Sequence, residues 1–284
     1  MKKFIGKCIE LSIQTTIKLF GKTYEPHEIP FLYGPIGNEK IGEDFYKRWC
    51  EAKNHTYEEG ISNNGLIPEF EILRSPTFNP DEVHPAIKNF YEQTSSYEFD
   101  IWAKWNPILK LGASILVHTV NHHIQQLNFP LNAMDARYGM SNDIITIYDK
   151  QNNIPFRCWL RKQMPSNEII YCGFYIPFKI PSIDSFGIKT VFPLPKGAAV
   201  VLLEPINLPQ GGFKLDSRGH KIGGSGYYRI HQLKNRNFKV LMAPIKESLD
   251  ISIDEKGYVR VEHCFTLWGM RMLHLHFKIK RSEK

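Results

Sequence analysis

The chain has 284 residues, of which 42% are hydrophobic and 23% are charged. These values are typical of a globular protein with a substantial core, and they exclude wholesale disorder. The net charge of +7 is spread along the chain, and the tight basic run is confined to the C-terminal tail with Lys278, Lys280, Arg281 and Lys284. A nucleic-acid-binding protein would carry its basic residues in a stripe or patch. We therefore expect no nucleic-acid partner.

The cysteine pattern indicates a reduced, cytoplasmic protein. The five cysteines are odd in number, widely spaced and without a C-x-x-C pair, which is not the pattern of a disulfide framework or a zinc ribbon. Gly21-Lys22-Thr23 looks like the end of a phosphate-binding loop, but Thr16 stands where such a loop needs its first glycine. No cofactor is therefore predicted.

Residues 1–20 form an amphipathic helical pattern with an apolar face and an opposite, lysine-rich face. The apolar face carries Ile5, Cys8, Ile9, Ile13, Ile17 and Phe20. One interpretation is a helix packed on the domain. The other is an interfacial helix, so that residues 1–20 contact a membrane surface. No run in the chain approaches the ~20 apolar residues that a spanning helix needs.

The pattern divides the chain into two parts. Residues 1–82 are expected to form a helical and extended N-terminal arm, because a short helix near 42–52 is followed by a long connector rich in Pro and Asn. Residues 83–284 are expected to form a helix plus antiparallel β-sheet domain. This part begins with a helix at Pro85, a strand over 97–105 and a helix over 108–127, whose apolar stripe runs from Leu109 to Leu127.

After Asn142 the sequence becomes a series of strand-like runs separated by turn signals. The predicted strands are 143–148, 155–163, 168–178, 187–193, 198–206, 227–233, 237–243 and 248–253. The glycine-rich stretch 210–226 is predicted to be a loop. We predict an α+β fold in which N-terminal helices pack on a large antiparallel, barrel-like or strongly curved β-sheet closed by a C-terminal hairpin.

The C-terminal hairpin, residues 257–280, is the clearest element, because hydrophobic and polar residues alternate in both of its arms. Period-two alternation is typical of a half-buried antiparallel pair. A three-residue loop, Trp268-Gly269-Met270, places every aliphatic side chain on one face, whereas a two-residue loop would mix the faces. We therefore predict the longer loop, which leaves His263 among the aliphatic residues.

The stretches HPAIKNFYE, LNFPL and LWGMRMLHLHFKI, with the strand pairs between them, resemble an uncharacterised bacterial β-rich domain. That domain is sometimes fused to saccharopine-dehydrogenase-like reductases. The resemblance covers roughly residues 83–280. It implies a soluble sheet domain of unknown function, and it supplies no catalytic residues.

Two histidine groups are candidates for metal binding. The hairpin register sets Cys264 opposite His274 and Glu262 opposite His276, so that four zinc-type ligands share one face. The alternative interpretation is an ordinary solvent-exposed strand face. The second group lies on the helix over 108–127, where His118 and His122 are four residues apart and His123 follows them. The H-E-x-x-H glutamate is missing there, because Thr119 takes its place, and a solvated helix face is the alternative. For His123, at the edge of the apolar stripe, packing is the expected role.

The third candidate is a cavity inside the curved sheet, lined by aromatic residues such as Trp102, Trp105, Trp159 and Tyr175. The alternative is that these side chains simply fill the core. The favoured hypothesis is a soluble protein that binds a small apolar ligand in this cavity. Two alternatives stay open: an enzyme with an unrecognised histidine-based or metal-assisted site, and a peripheral membrane or partner-binding protein that acts through the N-terminal helix.

Overall fold

A computed structural model describes residues 2–38, 40–131, 139–164, 166–183 and 185–282, with side chains described from residue 6 onward. The position of Ile5 on the predicted apolar face therefore lies outside the described side chains. The helices are α1 (Lys2–Phe20), α2 (Phe45–Lys53), α3 (Pro85–Glu92), α4 (Pro107–Leu116) and α5 (His122–Ile124).

The helix predicted over residues 108–127 is not continuous. A π-helical segment, Val117–Asn121, separates α4 from α5. Pro107 occupies the first turn of α4, and the Asn106 side chain accepts a hydrogen bond from the Ile108 N–H at 3.0 Å, as expected for an N-cap. The helical segment ends at Ile124 because Gln125 adopts a left-handed conformation with φ of 51°.

Within the described residues, fourteen strands form one sheet in which every ladder is antiparallel. The strands are β1 (Lys22–Tyr24), β2 (Thr56–Glu58), β3 (Tyr97–Trp105), β4 (Asp143–Tyr148), β5 (Phe156–Gln163), β6 (Glu168–Ile180), β7 (Ser185–Leu194), β8 (Gly197–Leu208), β9 (Gly212–Asp216), β10 (Gly226–Gln232), β11 (Phe238–Met242), β12 (Ile245–Ile253), β13 (Val259–Leu267) and β14 (Met270–Arg281). The prediction of a large antiparallel sheet accompanied by a few helices is confirmed.

The sheet is an open path with the order β2-β4-β5-β6-β7-β8-β9-β12-β13-β14-β3, and β10, β11 and β1 branch from β8. The first half of β8 pairs with β10 and the second half pairs with β9, so β8 joins two parts of the sheet. The C-terminal hairpin does not close the sheet, because β3 lies beyond β14 as the last strand of the path. The stretch 210–226 is also not a simple loop, since it contains β9.

The hairpin has the predicted register but not the predicted loop. Leu267 pairs with Met270, so the loop is the two residues Trp268 and Gly269, with φ of 50° and 82°. Two positive φ values are the signature of a type I′ hairpin turn. The ladder then shifts between Phe265 and Thr266, and this bulge restores the faces that a two-residue loop alone would mix.

Each face of the sheet carries a hydrophobic core, although the outer face of β3, β13 and β14 stays partly exposed. The inner face carries residues such as Phe99, Trp159 and Phe277. The outer face of β4–β8, β10 and β11 is covered by residues 29–50, with Trp49 packed against Phe156 and Phe174. Residues of the predicted N-terminal arm therefore share a core with the remainder of the chain.

The N-terminal helix α1 lies against β10, β11 and the π segment. It approaches the π segment closely at Gly6, where a Cβ atom would stand 2.4 Å from the Thr119 carbonyl oxygen. Ile17 is buried, whereas Cys8 and Phe20 are exposed. The predicted apolar face of α1 is therefore only partly used for packing.

Candidate ligand-binding cavity

A cavity of about 490 Å³ lies on the inner face of the sheet. Side chains from β3, β5, β6, β7, β8, β9, β10, β12, β13 and β14 all line it, together with α4 and the π segment. Strands as far apart along the open path as β5 and β3 can surround one space only if the sheet is strongly curved. Because side chains alternate between the faces of a strand, every second residue of these strands points inward.

Three of the four predicted ligand-binding residues line this cavity, namely Trp105, Trp159 and Tyr175. Trp102 does not, and 47% of its surface is exposed. It lies an odd number of residues from Trp105 on β3 and therefore points to the outer face, where its ring lies 5.5 Å from the ring of His276. Trp102 is therefore not part of this cavity, in contrast to the other three predicted residues.

Most of the cavity wall is hydrophobic, but one arginine interrupts it. Arg161 on β5 lines the cavity and is only 3% exposed. Within the described chain its Nε and Nη2 atoms have no hydrogen-bond partner. Its guanidinium carbon lies 4.4 Å from the ring centroid of Phe99 and 4.9 Å from that of Trp159. Aromatic faces therefore cover the cation and the Tyr171 hydroxyl interacts with it, whereas the Nε and Nη2 donors remain unpaired.

A carboxylate and an imidazole lie on the same cavity wall. The His263 Nε2 atom is 2.8 Å from Glu247 Oε1, and both side chains are nearly buried. Among the described residues that line the cavity, Glu247 is the only acidic one and Arg161 is the only Lys or Arg. His263 was expected among aliphatic residues, which is correct for its face, but its partner Glu247 was not anticipated.

Three tyrosines add hydroxyl groups to the inner face. Burial raises the pKa of Tyr171, Tyr175 and Tyr227, since the interior disfavours a phenolate. Thr190 also lines the cavity, and its hydroxyl has no hydrogen-bond partner among the described residues. The wall therefore combines large apolar surfaces with a few hydroxyl groups, as small-molecule sites commonly do.

Helix α4 covers one side of the cavity with its predicted apolar stripe, since Leu109, Ala113 and Leu116 line the space. None of its residues is fully buried. Gly112 both lines the cavity and is exposed, and a Cβ atom built there would meet nothing within 4 Å. Gly112 therefore marks an opening of the cavity to solvent.

The predicted metal group lies on the opposite, outer face of the hairpin. As predicted, the structure pairs Glu262 with His276 and Cys264 with His274. The Glu262 carboxylate, however, is hydrogen-bonded to a ring nitrogen of both histidines. Burial also raises the pKa of the Cys264 thiol, which disfavours the thiolate that a metal would bind. No three such side chains in the described chain are arranged to hold a metal ion.

The helix histidines do not form a site either. His118, His122 and His123 are all exposed, and the π segment changes the spacing on which a pair at i and i+4 depends. The His118 ring bonds back to the Ser114 carbonyl at 2.8 Å, and His122 lies 3.9 Å from Glu168. The expected packing role of His123 is wrong, because its side chain is exposed near the end of helix α5.

A larger, polar depression of about 1360 Å³ lies elsewhere on the surface. Its charged side chains are already paired, with Lys47 3.0 Å from Glu59 and Lys162 2.6 Å from Glu43. It therefore offers no unsatisfied group comparable to Arg161.

Comparisons with known proteins give one distant relative. No family model matches the chain, and no solved structure matches it. The chain is 26% identical over 261 residues to a protein of Bacillus subtilis (strain 168) named "Uncharacterized membrane protein YndJ". The match covers 91% of this chain but 44% of the relative, so the chain spans less than half of the relative's length. The resemblance to the reductase-associated β-rich domain stays a prediction.

The described residues include no helix that is both long enough and apolar enough to cross a membrane.

Proposed function

We propose that the protein binds a small, largely apolar molecule in the cavity inside its curved sheet. The observation that carries this proposal is a space of about 490 Å³ with mostly hydrophobic walls. Its volume lies within the range of roughly 300–1,000 Å³ that is common for small-molecule sites. Removing apolar ligand surface from water supplies the driving force, at about 25 cal/mol per Å².

Core filling explains the aromatic residues less well. Trp159, Phe192 and Phe265 do pack against neighbouring rings, yet they leave the central space open. Protein interiors are normally close-packed, and an empty apolar cavity costs stability roughly in proportion to its volume. A ligand that occupies the space would recover this loss.

A variant at the opening tests the proposal. Gly112→Trp places an indole ring where the glycine leaves room, and it should lower the affinity for the neutral apolar dye Nile red at least about tenfold, since the ring occupies part of the site. The matched control is Leu111→Trp, because Leu111 is on the same helix but 72% exposed. If wild type does not bind the dye, or if both variants bind it like wild type, the proposal is wrong.

A second candidate function is contact with a membrane surface. Helix α4 turns an apolar stripe outward, with Ile108 85%, Leu111 72% and Ile115 46% exposed. The start of α4 lies beside the C-terminal hairpin, because the Asn106 N–H donates to the Met272 carbonyl at 2.9 Å. The tip of this hairpin carries the exposed Trp268. Exposed apolar groups at this spacing suit the interfacial region of a bilayer. The name of the Bacillus relative agrees with this candidate.

The N-terminal helix offers a rival membrane contact, because Leu11, Leu19 and Phe20 are exposed on it. Co-sedimentation with vesicles of phosphatidylglycerol and phosphatidylethanolamine distinguishes the two surfaces. Leu111→Glu should abolish binding if α4 is the contact, whereas Phe20→Glu should abolish it if α1 is. Binding that survives both substitutions in one chain would refute both assignments.

We also propose the cytoplasm as the compartment. All five cysteines are free, including Cys158 and Cys172, whose sulfur atoms lie 3.3 Å apart. Reduced thiols are the rule in that compartment. Cell fractionation followed by thiol labelling would test this, and recovery of the protein outside the cytoplasm would contradict it.

A further inference from the structure

We infer that the ligand is an amphiphile with a carboxylate, of the long-chain fatty acid class, and that Arg161 binds its acidic group through Nε and Nη2. This inference rests on the proposed function, because it assigns the chemical class of the molecule to the same cavity. It adds a charge and an orientation: the carboxylate lies at β5 and the hydrocarbon chain occupies the apolar space.

The first argument is the unpaired arginine. A buried cation is costly unless it is paired, and each N–H donor without an acceptor adds to this cost. Only 3% of the Arg161 surface is exposed to solvent, and the side chain faces the cavity. In the described chain its Nε and Nη2 atoms donate to no acceptor, and the polar group beside the guanidinium is the Tyr171 hydroxyl. A carboxylate bound in the cavity would supply the missing acceptors.

The second argument is geometric. The rings of Phe99, Trp159 and Phe277 lie 4.4, 4.9 and 5.8 Å from the guanidinium carbon. Cations interact with the faces of such rings, whereas the N–H donors of arginine lie in the guanidinium plane. A planar carboxylate fits two of these donors at once. A single arginine among apolar walls suits a single negative charge on a hydrocarbon chain.

The third argument concerns Glu247, the acidic residue on the cavity wall. Its Oε1 atom is already bonded to His263 at 2.8 Å. A carboxylate ligand therefore does not need to compete with Glu247 for Arg161. Thr190, whose hydroxyl is unpaired on the same inner face, offers a further polar contact.

The test compares two probes that differ only at the head group, dodecanoic acid and dodecan-1-ol, by calorimetric titration of the full chain. Wild type should bind the acid roughly tenfold to hundredfold more tightly than the alcohol, because only the acid pairs with Arg161. Arg161→Met should remove this preference and leave alcohol affinity within about threefold. Arg161→Lys keeps the positive charge but not the planar guanidinium that binds two carboxylate oxygens, so this variant should retain part of the preference for the acid.

The matched control is Arg229→Met. Arg229 is a partly buried arginine whose Nε atom is also unpaired, but it is not among the described residues that line the cavity. If wild type binds both probes equally, this inference is overturned while the proposed function stands. If Arg229→Met rather than Arg161→Met removes the preference, the assignment to Arg161 is wrong. If neither probe binds, the proposed function fails together with the inference.

Discussion

Gln126 attaches the segment 121–129, which covers part of the cavity, to the sheet. Its side chain is fully buried and makes three hydrogen bonds to the backbone. Nε2 donates to the carbonyls of Cys172 and Pro193 at 3.0 and 3.1 Å, and Oε1 accepts from the Cys172 N–H at 2.9 Å. The ladder between β6 and β7 ends at Phe174 and Val191, and Pro193 has no N–H with which to continue it. The amide of Gln126 takes the place of the missing strand contact.

The substitution Gln126→Ala should therefore be severe for a single side chain. It leaves one N–H donor and two carbonyl acceptors unpaired in a dry environment. An orphaned donor costs roughly 1–3 kcal/mol, and each carbonyl costs somewhat less because it has two lone pairs. We expect the free energy of unfolding to fall by about 3–5 kcal/mol. That is a large share of the ~5–15 kcal/mol that stabilises an ordinary domain.

Urea unfolding monitored by tryptophan fluorescence measures this loss. Gln126→Glu should be at least as harmful, because a carboxylate cannot donate to the carbonyls of Cys172 and Pro193. The matched control is Gln125→Asn: Gln125 is half-buried with φ of 51°, a conformation that asparagine tolerates, so its effect should stay within about 0.5 kcal/mol. A loss of less than about 1 kcal/mol for Gln126→Ala would refute this reasoning.

Two further predictions concern pH and close packing. Burial lowers the pKa of Lys189 to about 8 from 10.5, so the folded protein binds fewer protons than the unfolded chain between these pH values. Raising the pH through this window should therefore stabilise wild type relative to Lys189→Met by up to about 3 kcal/mol. Urea titrations at several pH values measure this, and a stability difference between the two proteins that does not change with pH would disprove it. At Gly197 a Cβ atom would stand 2.0 Å from the Ile230 carbonyl oxygen, so Gly197→Ala should lower the free energy of unfolding by about 3 kcal/mol or more. Gly112 has open space around it, so Gly112→Ala should raise the free energy of unfolding by about 0.5–1 kcal/mol. Equal melting temperatures for the two variants would contradict this prediction.

Most of the strands were predictable because each alternates clearly and is bounded by turn residues. The register of the hairpin was also predictable, since the period of two allows only one arrangement with the aliphatic residues together. Its loop was not, because the bulge between Phe265 and Thr266 compensates for a shorter turn. A bulge leaves no signal in the hydrophobic pattern. The strand Gly212–Asp216 was missed because neighbouring glycines made the stretch read as a loop.

The polar residues of the cavity were missed for a different reason. On β5, Phe156, Cys158 and Leu160 alternate with Arg157 and Arg161, and such alternation normally identifies the arginine face as the solvent face. Here the apolar face is covered by residues 29–50, and the arginine face is the inner one. The covering segment is distant in sequence, so no local pattern reveals it.

The surroundings of Arg161 also explain how the fold tolerates a buried cation without neutralising it. A carboxylate beside the guanidinium would satisfy the charge, but it would also occupy the donors and leave no site for a ligand. The position directly across the ladder is Tyr171 rather than an acid. Rings from β3, β5 and β14 supply the remaining contacts, each worth roughly 0.5–2 kcal/mol to a cation. Because these rings interact through their faces, they offset part of the desolvation of Arg161 while its in-plane Nε and Nη2 donors stay available to the cavity.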